Sequence, residues 1–329
     1  MKERELACLA FTRQGAALAE RIRAALGGTA DCARDLPDFS LSRWTEEGFQ
    51  ADRALVYVGA VGIAVRAVAP FLGSKLTDPP VVALDEGGRF VIPLVSGHLG
   101  GANELARAIA RICGGTAVIT TATDLHGLFA VDLWAKRQGL TLCRPEGVKV
   151  ISGKLLAGER IRISSRWPID GLPPAGVEQV PCDGDVTVDV RPGAGLCLAP
   201  AALTLGVGCR RGTTPETLER VFARLCEARR ILPEAVAAAA SIDRKREEAG
   251  LLTFCGRHGW DVSFYTAEQL AAAPGTFTPS DFVRRTVGVD NVCERSAALA
   301  GGRLLERKYA EEGVTFALSL GEVKLDWSW

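Results

Sequence analysis

The stretch Val91-Ile-Pro-Leu-Val-Ser-Gly-His-Leu-Gly-Gly-Ala-Asn-Glu-Leu-Ala106 passes from an apolar run through a glycine-rich turn into a helical pattern. The run Phe90 to Val95 has the length and composition of a buried strand. From about Ala102 to Cys113, Leu105, Ala108, Ile109 and Ile112 recur at helical spacing. A strand that turns through glycines into a helix aims backbone N–H groups and the positive helix end at one point, a natural seat for an anion. Ser96, Gly97, His98, Gly100 and Gly101 form that turn, and Asn103 and Glu104 open the helix.

Outward from this turn, strand-like and helix-like segments alternate. Leu6 to Phe11, Ala54 to Val58, Val81 to Leu84 and Val118 to Thr121 read as strands, with helices after the first two. Asp85-Glu-Gly-Gly88 reads as a hairpin turn joining Val81–Leu84 to Phe90–Val95. Residues 29–50 show no clear pattern. This alternation implies a Rossmann-like, mainly parallel sheet covered on both faces. In such sheets the loops at the carboxyl ends of the strands gather on one edge. Gly59, Gly62, Ser96, His98, Thr121, Thr123 and Asp124 are expected there. G-x-G-x-x-G is missing, which counts against a dinucleotide site.

From Lys136 to Pro200 the character changes, and Pro168 to Pro200 hold six of the sixteen prolines. A small irregular middle segment is expected rather than core sheet. The α/β pattern then restarts at Leu203–Val207, whose loop is Gly208-Cys-Arg-Arg-Gly-Thr-Thr214, and Pro215 sits well as a first helical residue. Arg210 and Arg211 thus form a second candidate anion seat, although a solvated pair of arginines is equally open. The expected division is 1–135, an N-terminal α/β domain; 136–200, a middle domain or linker; and 201–329, a second α/β domain.

The 329 residues are 47% apolar with a formal net charge of zero, which argues against nucleic acid or a membrane surface as the main partner. No apolar run approaches the roughly 20 residues of a membrane helix. The opening Met-Lys-Glu-Arg-Glu is not a leader pattern. The ten cysteines include no C-x-x-C pair, and the three histidines are far apart, so a metal site is not expected. Buried thiols and a cytoplasmic setting are expected. Cys209 reads as a small apolar residue rather than a nucleophile. A loop histidine is most often structural, but the glycines around His98 and the nearby Ser96 and Glu104 leave a functional role equally open.

Several segments together resemble one family. Gly62-Ile-Ala-Val-Arg66, Lys75 with Asp78-Pro79, the Val91–Asn103 stretch and Ile119-Thr-Thr-Ala-Thr-Asp124 are similar to the N-terminal signature of the cobalt-precorrin-5A hydrolases of anaerobic cobalamin biosynthesis. Gly206-Val-Gly-Cys-Arg-Arg-Gly-Thr213 and Thr286-Val-Gly-Val289 with Val292-Cys-Glu294 resemble their C-terminal domain. The resemblance spans almost the whole chain and is weakest in 29–50 and 165–200. It implies that water opens the δ-lactone of a ring-contracted cobalt corrinoid and that acetaldehyde leaves. It implies no protein cofactor, since the cobalt arrives with the substrate.

Such chemistry needs an activated water and oxyanion donors, for which His98, Glu104 and Ser96 are the candidates, with the N–H groups of Gly100, Gly101 and Ala102. Binding of the corrinoid and its carboxylates is expected from Gly62, Arg66, Lys75, Gly97, Gly100, Gly101, Asn103, Thr121, Thr123, Asp124, Gly208, Cys209, Arg210, Arg211, Gly288 and Glu294. A homodimer and transient contacts with other corrin-pathway enzymes are compatible with this. The alternative from a different class is a corrinoid carrier without catalysis.

Overall fold

The computed structural model describes residues 4–74, 77–98, 100–121 and 127–329; Lys75, Thr123 and Asp124 lie outside the described residues. The chain divides into two compact units, Met1–Leu128 and Phe129–Trp329.

In the first unit, β1 (Leu6–Ala10), β2 (Thr29–Cys32), β3 (Ala54–Val58), β4 (Val81–Leu84), β5 (Phe90–Val95) and β6 (Thr116–Ala117) form a sheet in the order β2-β1-β3-β4-β5-β6. Strands β1 to β4 run parallel, β5 returns antiparallel to β4, and β6 is parallel to β5. Alternating strand residues divide between two cores. Leu6, Cys8 and Ala10 face α1 (Arg13–Leu26) and α4 (Ala102–Cys113), through Leu18, Ile22, Ala106 and Ile109. Ala7 and Leu9 pack in the opposite core with Ala64, Ala67 and Val68 of α3 (Val61–Val68), and Trp44 and Phe49 of α2 (Leu41–Gln50) lie against it. The sheet is thus covered on both faces.

Three local expectations change. Residues 29–50 are not patternless: they supply β2 and α2, which is N-capped by Ser40. The strand expected at 118–121 lies at Thr116–Ala117, although the Val118 N–H still reaches the Val91 carbonyl. Most importantly, the 85–88 hairpin reverses β5. The carboxyl end of β5 therefore emerges beside the start of β4, with Val95 paired to Val81. Gly59 and Gly62, which follow β3, are at one edge, whereas Ser96 to Gly101 are at the other.

The second unit holds two five-stranded sheets. Its first is β10 (Val177–Val180), β8 (Ile161–Ser165), β11 (Val186–Val188), β12 (Leu196–Pro200) and β7 (Leu140–Leu142), in that order, parallel except for β7. The expected irregular segment is therefore sheet. Its strands run to at most five residues, too short to show a period. Six of its seven prolines stand in the connections and the seventh, Pro200, ends a strand.

The other sheet has the order β15 (Asp261–Tyr265), β14 (Val236–Ile242), β13 (Leu203–Cys209), β17 (Val314–Leu320) and β16 (Arg303–Glu311). The helices Pro215–Arg229 and Ala249–His258 bury Leu218, Phe222, Leu225 and Phe254 with Leu205, Val207 and Phe316 of this sheet. The helix Cys293–Gly301 contributes Cys293 and Ala297 to a smaller cluster with Ala317. A Cβ on Gly206 would stand 1.8 Å from the Cys293 carbonyl oxygen, so that helix lies directly on β13.

Candidate active site

The Ser96–Asn103 turn is held by its own backbone. Ser96 has φ +57°, and its hydroxyl donates to the Asp78 carbonyl at 2.7 Å. The Asp78 carboxylate in turn accepts from the Gly73 N–H (3.1 Å) and the Ser74 N–H (3.0 Å). Asp78 therefore joins the loop before β4 to the turn after β5, a role visible only once β5 is known to run backward. The glycines follow from close approach. A Cβ on Gly100 would lie 2.2 Å from the Ser96 Cβ and 2.6 Å from its carbonyl oxygen, and one on Gly97 would lie 2.7 Å from Asn103 Oδ1. Gly101 has φ +90° and leads into α4.

Asn103 is only 3% exposed. Its backbone N–H donates to the Gly97 carbonyl at 3.0 Å, and its side-chain amide donates to Thr121 Oγ1 at 3.3 Å. It thus fastens the turn to the segment after β6. The structure brings Ser96, Gly97, His98, Gly100, Gly101, Asn103 and Thr121 together, with Glu104 exposed on the first turn of α4. His98 is half-buried, and its carbonyl accepts from the Gly101 N–H at 3.0 Å. The Ala102 N–H is bound to the Ser96 carbonyl at 3.1 Å. Two of the three N–H groups expected to face an oxyanion are therefore spent inside the turn. Gly62 is not at this edge: it lies exposed in the first turn of α3, four residues before the exposed Arg66.

In the second unit, Gly208, Cys209, Arg210 and Arg211 run from the end of β13 into a loop, with both arginines exposed. A Cβ on Gly208 would lie 2.5 Å from Thr315 Oγ1. Burial pushes the Cys209 thiol above its ordinary pKa, opposed by the nearby Lys245 ammonium. That is the wrong direction for a nucleophile. One backbone donor of this loop is already occupied: the Gly212 N–H donates to Glu248 Oε1 at 2.7 Å, while Lys245 Nζ donates to Glu248 Oε2 at 2.8 Å. The Lys245 bond, aided by the Gly212 N–H, holds the Glu248 carboxyl below its ordinary value despite burial. Thr214 caps the following helix by accepting from the Thr217 N–H. An incoming anion would therefore meet the arginine side chains rather than a bare helix end. Lys245 and Glu248 carry no sequence signal beyond a charged pair three residues apart.

Glu294 and Gly288 have internal roles. Glu294 is fully buried and accepts from the Thr278 N–H, the Thr278 hydroxyl and the Lys308 N–H, each at 2.8 Å. Asn291, 2% exposed, accepts from the Glu294 N–H at 2.8 Å and donates to the Thr278 carbonyl at 2.9 Å. Gly288, at φ +86°, ends the helix Asp281–Val287. Both asparagines of the chain are thus buried loop fasteners. Among the described residues no cluster of metal-ligating side chains forms, and no helix is long and apolar enough to cross a membrane.

Two family models match the chain: cobalamin synthesis G N-terminal over residues 43–124, and cobalamin synthesis G C-terminus over 203–319. The chain is 33% identical to a cobalt-precorrin-5A hydrolase of Salmonella typhimurium, across 97% of this chain and 99% of that protein. It is 30% identical to a cobalt-precorrin-5A hydrolase of Priestia megaterium, across 82% of this chain and 79% of that one. A solved cobalamin biosynthesis protein G homologue from Sulfolobus solfataricus aligns over 97% of both chains with a TM-score of 0.41 and 23% identity. With 33% identity spanning nearly the full length of both sequences, the chain belongs to the cobalamin synthesis G family, that of the cobalt-precorrin-5A hydrolases.

Proposed function

We propose that this protein hydrolyses cobalt-precorrin-5A, opening its δ-lactone with water and releasing acetaldehyde to give cobalt-precorrin-5B. The observation that carries a catalytic reading is the Ser96–Asn103 turn. Its Gly97 and Gly100 have no room for side chains, Asn103 locks it to Thr121, and it presents a half-buried histidine beside a helix start. In this reading His98 takes a proton from the attacking water as general base. Exposed Glu104 is the alternative base. Ser96 positions the turn through Asp78 rather than attacking. With the N–H groups of Gly101 and Ala102 engaged, oxyanion stabilisation comes from the positive end of α4 as a whole.

Arg66, Lys75, Arg210 and Arg211 are assigned to the peripheral carboxylates of the corrinoid, and Thr123 and Asp124 to substrate binding. The cobalt belongs to the substrate, and no resident cofactor is invoked. Residues 1–135, 136–200 and 201–329 are retained as proposed functional modules, and a cytoplasmic site of action fits the substrate. The test is a pair of variants. His98→Ala should lower kcat by at least about tenfold, the low end of general-base contributions, while corrinoid binding persists. His98→Gln, which hydrogen-bonds but does not shuttle a proton at neutral pH, should be nearly as impaired. A Gln form with close to full kcat would make His98 a positioning residue and move the base to Glu104.

A further inference from the structure

The sheet β10-β8-β11-β12-β7 bears a cavity of about 540 Å³ that the hydrolase reading does not use. By strand alternation, the buried Ile161, Ile163 and Val186 point to one face, while Arg162, Ser164 and Thr187 point to the other. The second face is covered by two connections laid directly on the strands. A Cβ on Gly184 would stand 2.6 Å from the Ser164 nitrogen, one on Gly193 would stand 2.4 Å from Thr187 Oγ1, and one on Gly195 would stand 2.1 Å from the Asp185 carbonyl oxygen. Such contacts restrict these positions to glycine and fix the cavity's walls.

The lining mixes polar and apolar surface, and no aromatic side chain contributes to it. A flat macrocycle would find no stacking surface here. Two arginines and three aspartates (Asp183, Asp185 and Asp189) line the cavity, and Arg166 is braced on its Nε side. Arg166 Nε donates to Asp189 Oδ1 at 2.8 Å, and Arg162 Nε lies 3.8 Å from Asp185 Oδ2. Asp185 is itself held by Lys154 Nζ at 2.8 Å and by the Arg162 N–H at 2.8 Å. Among the described residues the terminal nitrogens of both guanidiniums donate to no protein partner within hydrogen-bond distance, and the Arg166 and Arg162 side chains are 29% and 54% exposed. A guanidinium fixed at Nε presents its other edge as a planar two-donor fork, the geometry that reads carboxylate and phosphate. The Ser165 and Thr187 hydroxyls add rotatable donors beside the forks, while the buried Ser164 hydroxyl donates to the Val186 carbonyl at 3.5 Å.

We propose that this cavity is a binding site for the oxyanion of a small polar molecule, a carboxylate or phosphate, held by Arg162 and Arg166 with Ser165 and Thr187. The site is independent of the reaction assigned to the Ser96–Asn103 turn, and its test needs no turnover. Titrating the full-length protein calorimetrically with succinate and, separately, with inorganic phosphate distinguishes the two oxyanion sources. Saturable binding of at least one is expected. Binding should weaken by at least about tenfold in Arg162→Gln/Arg166→Gln, as expected when charge-assisted forks are lost. Arg166→Lys keeps the charge without the fork and guards against a folding defect in the double variant; it should weaken binding while its circular dichroism matches the parent. No saturable heat with either probe at millimolar concentrations, or equal affinity in folded Arg166→Lys and parent, would overturn the proposal.

Discussion

At the scale of single residues, the turn after β5 is defined by what it excludes. Gly100 has its would-be Cβ position filled by Ser96 side chain and backbone. Gly100→Ala must push the Ser96 segment aside, with a cost of about 1–3 kcal/mol as for other overpacked sites. Because Ser96 is tied to Asp78, the shift passes to the loop before β4. The expected result is a lowered Tm together with a loss of activity larger than the stability change explains, measured by thermal unfolding and kcat/KM on the same preparation. Asn103 reads in the sequence as a binding group beside Gly100-Gly101, and in the structure it fastens two loops. Asn291 behaves alike. Glu294 reads in the sequence as a binding group, yet three hydrogen bonds and complete burial make it an internal clamp. Nothing in a linear pattern distinguishes a carboxylate facing solvent from one satisfied by a distant Thr278 and Lys308.

At the scale of elements, the sequence made the strand–turn–helix of 90–113 legible to its limits, because an apolar run, glycines and a 3.6-residue period coincide there. The sidedness of the site was not legible. Whether a strand runs parallel or antiparallel leaves no mark on its composition, and only the Asp85–Gly88 hairpin hinted that β5 turns back. The loop after β13 shows a second limit, since the N–H of its Gly212 is filled by Glu248 from another segment. Glu248→Gln removes the counter-charge of Lys245 and should cost about 1–3 kcal/mol at neutral pH. The sign follows from the depressed carboxyl. Its folded-state pKa lies below the ordinary value of 4.5, so its contribution is complete above that pH and is lost as pH falls through the folded-state value. The stability gap between parent and variant should therefore be constant near neutrality and close only below about pH 4.5, as denaturant titrations across pH would show. In the same loop, Arg210→Ala/Arg211→Ala should raise KM more than it lowers kcat, because peripheral carboxylates are bound equally in ground and transition states.

At the scale of the whole molecule, the last residues return to the first helix of the second unit. Leu325–Asp326 pairs with Ile169–Asp170, and the Asp326 carbonyl accepts from Trp134 Nε1 at 2.7 Å. Trp327 stacks on Trp134 with centroids 5.4 Å apart, and Phe129 packs edge-on against it. A fragment ending near Pro200 would lack this cover, so its failure in turnover would not by itself show that residues 201–329 touch substrate. Trp327→Ala in the full chain should cost about 3–5 kcal/mol, as for other buried aromatic truncations, and should lower the melting temperature of the second unit. The central claim, that this family member is a hydrolase and not a corrinoid carrier, is tested most directly by counting acetaldehyde. Purified full-length protein is incubated with a large molar excess of the lactone-form cobalt corrinoid, and released acetaldehyde is measured against time. Many equivalents per protein, released at a rate proportional to protein concentration, are predicted; saturable corrinoid binding with no acetaldehyde above the protein-free control would contradict it.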